Sequence, residues 1–140
     1  MSIKECDIRV EDLRDFHDAE LTSLTLDRTA RRVLLVFSRV DGTYGRFECE
    51  DVFNIKGSTL LFQNVVSRLR VAPIVAMTVE EVRQTIAWSF TLDNRMAISP
   101  GMLDTHVNNV ISGKLKLLYV DPSWGAELAV LCGSISLCSP

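Results

Sequence analysis

The residues best suited to chemistry lie near the start of the chain, where His17 and Asp18 are adjacent and Glu20 follows. Imidazole and carboxylate groups are the usual components of general acid–base and metal sites. Adjacent residues of an extended strand point to opposite faces, so His17 and Asp18 converge only where the backbone bends. Aspartate just before a strand often accepts a hydrogen bond from its own downstream backbone. A structural turn is therefore favoured, with binding and catalysis as the alternatives.

A pair of amides, Gln63 and Asn64, lies between the apolar pairs Leu61-Phe62 and Val65-Val66. In that setting the amides either satisfy backbone groups of a neighbouring loop or line a small polar cleft. Buried polar groups are usually hydrogen-bonded, which favours the first role. The second role would combine these amides with His17 and Asp18 in a small-molecule or hydrolytic site.

Recognised catalytic motifs are absent from the sequence. It contains no GxSxG, GxGxxG, GxxxxGK[ST] or HExxH pattern. The second histidine, His106, is expected to be partly exposed on a helix. The four cysteines have no CxxC spacing and are expected to be reduced thiols: Cys6, Cys49, Cys132 and Cys138. We therefore assign no catalytic residue, metal ligand or cofactor.

Three aromatic residues are candidates for contact with a partner: Phe16, Tyr119 and Trp124. Exposed aromatic side chains favour interfaces. Packing of Trp124 over its own hairpin is the simpler alternative. Acidic residues could surround such a surface, namely Asp18, Glu20, Asp121 and Glu127.

The composition limits the classes of partner. The chain has 140 residues and a net charge of −3, which suits one domain over 1–140 and does not favour nucleic acid. No run approaches the ~18 apolar residues of a membrane span. The charged N-terminal residues lack the apolar core of a signal peptide, so we expect a cytoplasmic protein that does not bind membranes.

The hydrophobic pattern predicts a mainly antiparallel sheet of about six strands and two or three helices, which is an α+β domain. The predicted strands are 20–27, 32–40, 44–50, 52–56 and the two arms of a hairpin over 114–137, with the first four in a meander. The predicted helices are 58–69, 79–87 and 100–112, with one short helical turn over 10–16. Both arms of the hairpin are largely apolar, so other elements must cover it.

Two helix starts carry clear capping patterns. Thr78 and Glu81 form a capping box. Ser99 is placed to cap the following helix, with Pro100 in its first turn and Gly113 just beyond its end.

Three stretches resemble a group of small, uncharacterised bacterial proteins. They are FHDAELTSLTLD at 16–27, LLFQNVVSRL at 60–69 and YVDPSWGAELAVLC at 119–132, about a quarter of the chain. The group is similar in style to bacterial immunity or accessory proteins, which are small α+β domains without catalytic motifs. The resemblance implies no functional residue.

These observations predict a non-catalytic module that binds another protein. The alternative is a small-molecule-binding or hydrolytic protein with its site around His17, Asp18, Gln63 and Asn64.

Overall fold

The computed structural model describes residues 2–4, 8–73 and 77–138. These parts of the chain contain three helices: α1 (Val10–Arg14), α2 (Val79–Ser89) and α3 (Pro100–Ile111). The strands are β1 (Ser2–Lys4), β2 (Glu20–Asp27), β3 (Arg32–Ser38), β4 (Tyr44–Glu50), β5 (Asn54–Ser58), β6 (Val65–Ala72), β7 (Thr91–Leu92), β8 (Arg95–Met96), β9 (Lys116–Trp124), β10 (Glu127–Cys132) and β11 (Ser134–Cys138). The predicted α+β class with a mainly antiparallel sheet is confirmed.

Nine of these strands form one sheet in the order β1-β11-β4-β3-β2-β6-β9-β10-β5, while β7 and β8 form a separate short hairpin. The predicted count of about six strands is wrong. One reason is that the return arm of the 114–137 hairpin is divided at Gly133 into β10 and β11. A second is that β6 was predicted as a helix, and a third is that no strand was predicted at β1.

The predicted helix over 58–69 is also wrong, because most of its second half belongs to β6, which pairs with β9. Thr59 has a φ of 59°, in the left-handed region, so the chain turns there and does not enter a helix. The β-branched Val65 and Val66 then favour an extended strand. The four-residue spacing of apolar residues in this stretch therefore did not indicate a helix.

Two neighbouring segments bend at the same place, and this bend makes the sheet curve back on itself. β4 leads into β5 through residues 51–53, and β10 leads into β11 through Gly133. β4 pairs with β11, whereas β5 pairs with β10. At the bend the Gly133 N–H donates to the Glu50 carbonyl at 3.0 Å. The predicted meander is therefore correct for β2, β3 and β4 but wrong for the fourth strand, which lies beside β10.

Two apolar clusters lie on opposite faces of the central strands. The first fills the inside of the curved sheet and includes the mutually contacting rings of Phe16, Phe37 and Phe47. The second lies between the outer face and the helices α2 and α3. Leu118 belongs to the first cluster and its neighbour Leu117 to the second. This two-sided burial explains why the 114–137 hairpin is apolar on both faces.

The two longer helices begin where the capping patterns predict. Thr78 accepts a hydrogen bond from the Glu81 N–H at 3.0 Å, and Ser99 accepts one from the Met102 N–H at 3.2 Å. In the described parts of the chain, no helix combines the length and apolar character needed to cross a membrane.

Candidate functional site

His17 and Asp18 converge because the backbone bends between α1 and β2. Asp18 has a φ of 61°, and its N–H donates to the Val66 carbonyl at 2.8 Å. The His17 ring lies with Nδ1 2.7 Å from the Ser67 carbonyl and Nε2 3.6 Å from an Asp18 carboxylate oxygen. The carbonyl can only accept, so Nδ1 carries a proton and donates this hydrogen bond. Both side chains are more than half exposed, which makes the pair accessible.

His17 lines a groove of about 500 Å³ between α1 and β6. The floor is apolar, and the walls carry Arg14, Arg68 and Arg70. Arg68 is paired with Asp121 at 2.9 Å, and Arg70 with Glu81 at 2.5 Å. Much of the positive charge of this groove is therefore neutralised by carboxylates on neighbouring elements.

Asn64 is buried and uses its side chain on backbone groups. Its Nδ2 donates to the Leu61 carbonyl at 2.7 Å, while Oδ1 accepts from the N–H groups of Leu61 at 3.0 Å and Ala126 at 2.9 Å. Gln63 instead donates to a Glu20 carboxylate oxygen at 2.5 Å. Asn64 thus satisfies neighbouring loops, and neither amide lines the groove beside His17.

Gly125 explains how closely the two loops approach each other. It has a φ of 86°, and a Cβ atom placed there would lie 2.4 Å from Asn64 Oδ1 and 2.9 Å from the Gln63 carbonyl. Only glycine combines this backbone conformation with the absence of a side chain. The turn at 125 and the loop at 59–64 therefore form one joined unit.

The three aromatic candidates do not form a common surface. Phe16 is fully buried inside the sheet, so its expected role as a contact residue is wrong. Tyr119 is partly buried, and its hydroxyl donates to Glu127. Burial, together with that carboxylate, raises the pKa of Tyr119 above its usual value. Trp124 is 60% exposed.

The exposed apolar residues of the 59–64 loop were missed by the sequence analysis. Leu60 is 62% exposed, Leu61 is 43% exposed and Phe62 is fully exposed. They had been placed in a helix, where their apolar character suggested burial. We define the loop patch as Leu60, Leu61 and Phe62 of the 59–64 loop together with Trp124, which ends β9 just before the turn that Asn64 joins to this loop.

His106 is buried, whereas the sequence predicted that it would be partly exposed. It is only 7% exposed and packs flat against Phe90 and edge-on to Phe53. Burial lowers its pKa. Its Nδ1 has no hydrogen-bond partner among the described residues.

The cysteines fall in two settings. Cys49 and Cys132 are buried and Cys138 is partly buried, while Cys6 lies outside the described residues. Among the described residues, no group of three or more His, Cys, Asp and Glu side chains is placed to hold a metal ion.

Comparison with solved structures finds proteins similar to this chain. The chain is similar to an uncharacterised protein from Neisseria gonorrhoeae, with a TM-score of 0.49 and 12% identity over 98% of this chain and 96% of that one. No family model matches the sequence, and no curated protein matches it. Function must therefore be argued from the residues of the site.

Proposed function

We propose that the protein is a non-catalytic, cytoplasmic module of immunity or accessory type that binds another protein through the loop patch. The observation that carries this proposal is the exposure of three consecutive large apolar side chains, Leu60 to Phe62, and of Trp124 on the adjoining end of β9. Contiguous exposed apolar residues favour an interaction surface, whereas scattered ones need no explanation. Trp124 is also of the residue type that most often dominates binding energy at interfaces.

The loop patch is supported from beneath by a fixed framework. Asn64 holds both loops through its hydrogen bonds to Leu61 and Ala126. A surface that is already ordered loses less conformational entropy on binding, which favours affinity. This supporting role explains why the buried residue at position 64 carries a polar amide.

The charge of the protein favours a basic partner. The net charge is −3, and Glu20 lies beside the loop patch through its hydrogen bond with Gln63. An acidic protein attracts basic partners over distances of about one Debye length, roughly 8 Å at physiological salt. The partner proposed here has an apolar pocket for Phe62 or Trp124 with basic residues around it.

The test begins with capture of partners from the native host, identification by mass spectrometry and reconstitution with the purified partner. Phe62→Ser and Trp124→Ala should each weaken the reconstituted complex by about tenfold or more, since truncated interface anchors commonly cost over 1 kcal/mol. Leu92→Ala serves as the matched control, because Leu92 is 73% exposed but lies on the separate β7–β8 hairpin.

Two results would contradict the proposal. One is a partner that binds both loop variants as tightly as the parent. The other is self-association through the loop patch, seen in light scattering as a dimer that Phe62→Ser dissociates, since the patch would then serve the protein's own assembly.

A site at His17 is the second candidate, and the groove beside it is the observation that favours this alternative. Asn64 is committed to the backbone and Gln63 to Glu20, so a ligand there would contact His17 and the groove residues without the amides. A turnover that His17→Ala and Asp18→Asn both abolish would establish this second candidate in place of the first.

A further inference from the structure

A second groove, of about 550 Å³, lies between the turn that joins β2 to β3 and the bend that joins β4 to β5. It is distinct from the loop patch and from the groove beside His17. Its lining includes Leu26, Asp27, Arg28, Arg31, Arg32 and Phe53. The groove therefore combines a local excess of arginine with exposed apolar surface.

The arginines give this corner a positive charge in an otherwise acidic protein. None of Arg28, Arg31 and Arg32 forms an ion pair with a carboxylate in the described parts of the chain. Asp27 is the one acidic lining residue, and its Oδ1 accepts a hydrogen bond from the Ala30 N–H at 3.0 Å. Positive charge that is not balanced within a groove favours an anionic occupant.

Arg31 fixes the walls of the groove. Its carbonyl accepts from the Val52 N–H at 2.9 Å, and its own Nε donates to the Val52 carbonyl at 3.2 Å. The residue adopts a φ of 54°, a conformation that is uncommon for a long side chain. These two hydrogen bonds join the β2–β3 turn to the bend, the two segments between which the groove lies.

Phe53 supplies an aromatic wall. Its side chain is 51% exposed, although one side meets His106 and the Arg31 guanidinium lies over the ring, 5.7 Å from its centre. The exposed part of the ring can stack on a planar group. Arg28 and Arg32 are exposed and lie on the turn side of the same groove.

We propose that this groove binds a small planar compound that carries a phosphate group, of the nucleoside monophosphate class. Its ring packs on Phe53 and its phosphate lies between Arg28 and Arg32. Guanidinium groups match phosphate oxygens in a two-point geometry, and aromatic side chains stack on bases of any sequence. The volume of the groove falls within the range of small-ligand sites, roughly 300–1,000 Å³. This site goes beyond the proposed protein-binding function.

Isothermal titration calorimetry with AMP and UMP tests the proposal, with ribose 5-phosphate and adenosine as the two part-ligands. Both nucleotides should bind saturably. Each part-ligand should have an affinity lower by about tenfold or more, because it lacks one of the two contacts. The double variant Arg28→Gln/Arg32→Gln and the single variant Phe53→Leu should each weaken nucleotide binding by about tenfold. Leucine at 53 keeps the apolar contact with His106 and removes the ring.

Arg95→Gln is the control, since it removes one exposed arginine on the β7–β8 hairpin, away from the groove. It should leave the affinity for AMP unchanged, and all variants should unfold at the temperature of the parent. The proposal is overturned if neither nucleotide binds at concentrations up to about 10 mM, which corresponds to less than ~3 kcal/mol of binding free energy. It is also overturned if adenosine binds as tightly as AMP, or if the groove variants bind like the parent.

Discussion

At the scale of single residues, Asn64 determines how two distant loops meet. Its one amide satisfies a donor and an acceptor of Leu61 and the N–H of Ala126, a residue 62 positions further along the chain. An aspartate could not donate to the Leu61 carbonyl, and an alanine would leave all three backbone groups without this partner. The amide is therefore required for both its donor and its acceptor.

We expect Asn64→Ala to lower the free energy of unfolding by about 2–4 kcal/mol, because it leaves buried backbone groups unsatisfied. Urea denaturation followed by circular dichroism measures this loss. Asn108→Ala, at an exposed position of α3, is the matched control and should stay within about 0.5 kcal/mol of the parent. Equal stability of the two variants would show that solvent replaces the hydrogen bonds of Asn64.

At the scale of elements, α2 is held to β6 by the same carboxylate that caps the helix. One oxygen of Glu81 accepts from the Thr78 N–H at 3.0 Å, and the other accepts from Arg70 at 2.5 Å. The backbone hydrogen bond and then the Arg70 guanidinium lower the pKa of Glu81 to about 2 from 4.5. The capping box thus does more than begin a helix, since it also fixes the helix to the sheet.

The lowered pKa of Glu81 predicts a pH-dependent stability. The carboxylate stabilises the fold above pH 4.5, and this contribution is lost as the pH falls from 4.5 toward 2. Glu81→Gln should therefore unfold at lower urea concentration than the parent at pH 7, and the difference should shrink as the pH falls through that window. Glu80→Gln removes a charge from the same turn without contacting Thr78 or Arg70, and its effect at pH 7 should be smaller. A difference between Glu81→Gln and the parent that is constant with pH would contradict the assignment.

At the scale of the whole molecule, the bend at Gly133 determines which strands are neighbours. A Cβ atom at Gly133 would lie 3.0 Å from the Cβ of Asp51, which itself has a φ of 51°. Because the two segments approach closely here, β4 stays paired with β11 on one side of the bend and β5 with β10 on the other. The first core cluster is enclosed as a result.

Gly133→Val should lower the free energy of unfolding by about 1–3 kcal/mol, because the added side chain forces this close contact apart. Asp51→Gly in the same chain should recover part of the loss, since it removes the opposing Cβ and suits the positive φ. Chemical denaturation of the parent, the two single variants and the double variant gives the coupling energy. Purely additive effects would show that the two residues do not meet at the bend.

The sequence alone was sufficient to predict the structure wherever the determining interactions are local. The bounds of β2 and β4, the starts of α2 and α3 and the two-faced burial of the final hairpin follow from alternation and capping within a few residues. Asn64 was also assigned its favoured role, because a buried amide between apolar pairs needs partners.

Tertiary structure alone decided the rest, because the deciding contacts join residues far apart in the chain. The stretch 58–69 has a helical period, yet pairing with β9 makes its second half a strand and leaves Leu60, Leu61 and Phe62 exposed. Phe16 and His106 lie inside the protein because strands and helices from elsewhere close over them. The arginine-lined groove arises in the same way, since the reciprocal hydrogen bonds between Arg31 and Val52 bring together two turns that the sequence separates. Local pattern reports the conformation that a segment prefers, whereas long-range pairing determines which of its faces meets solvent.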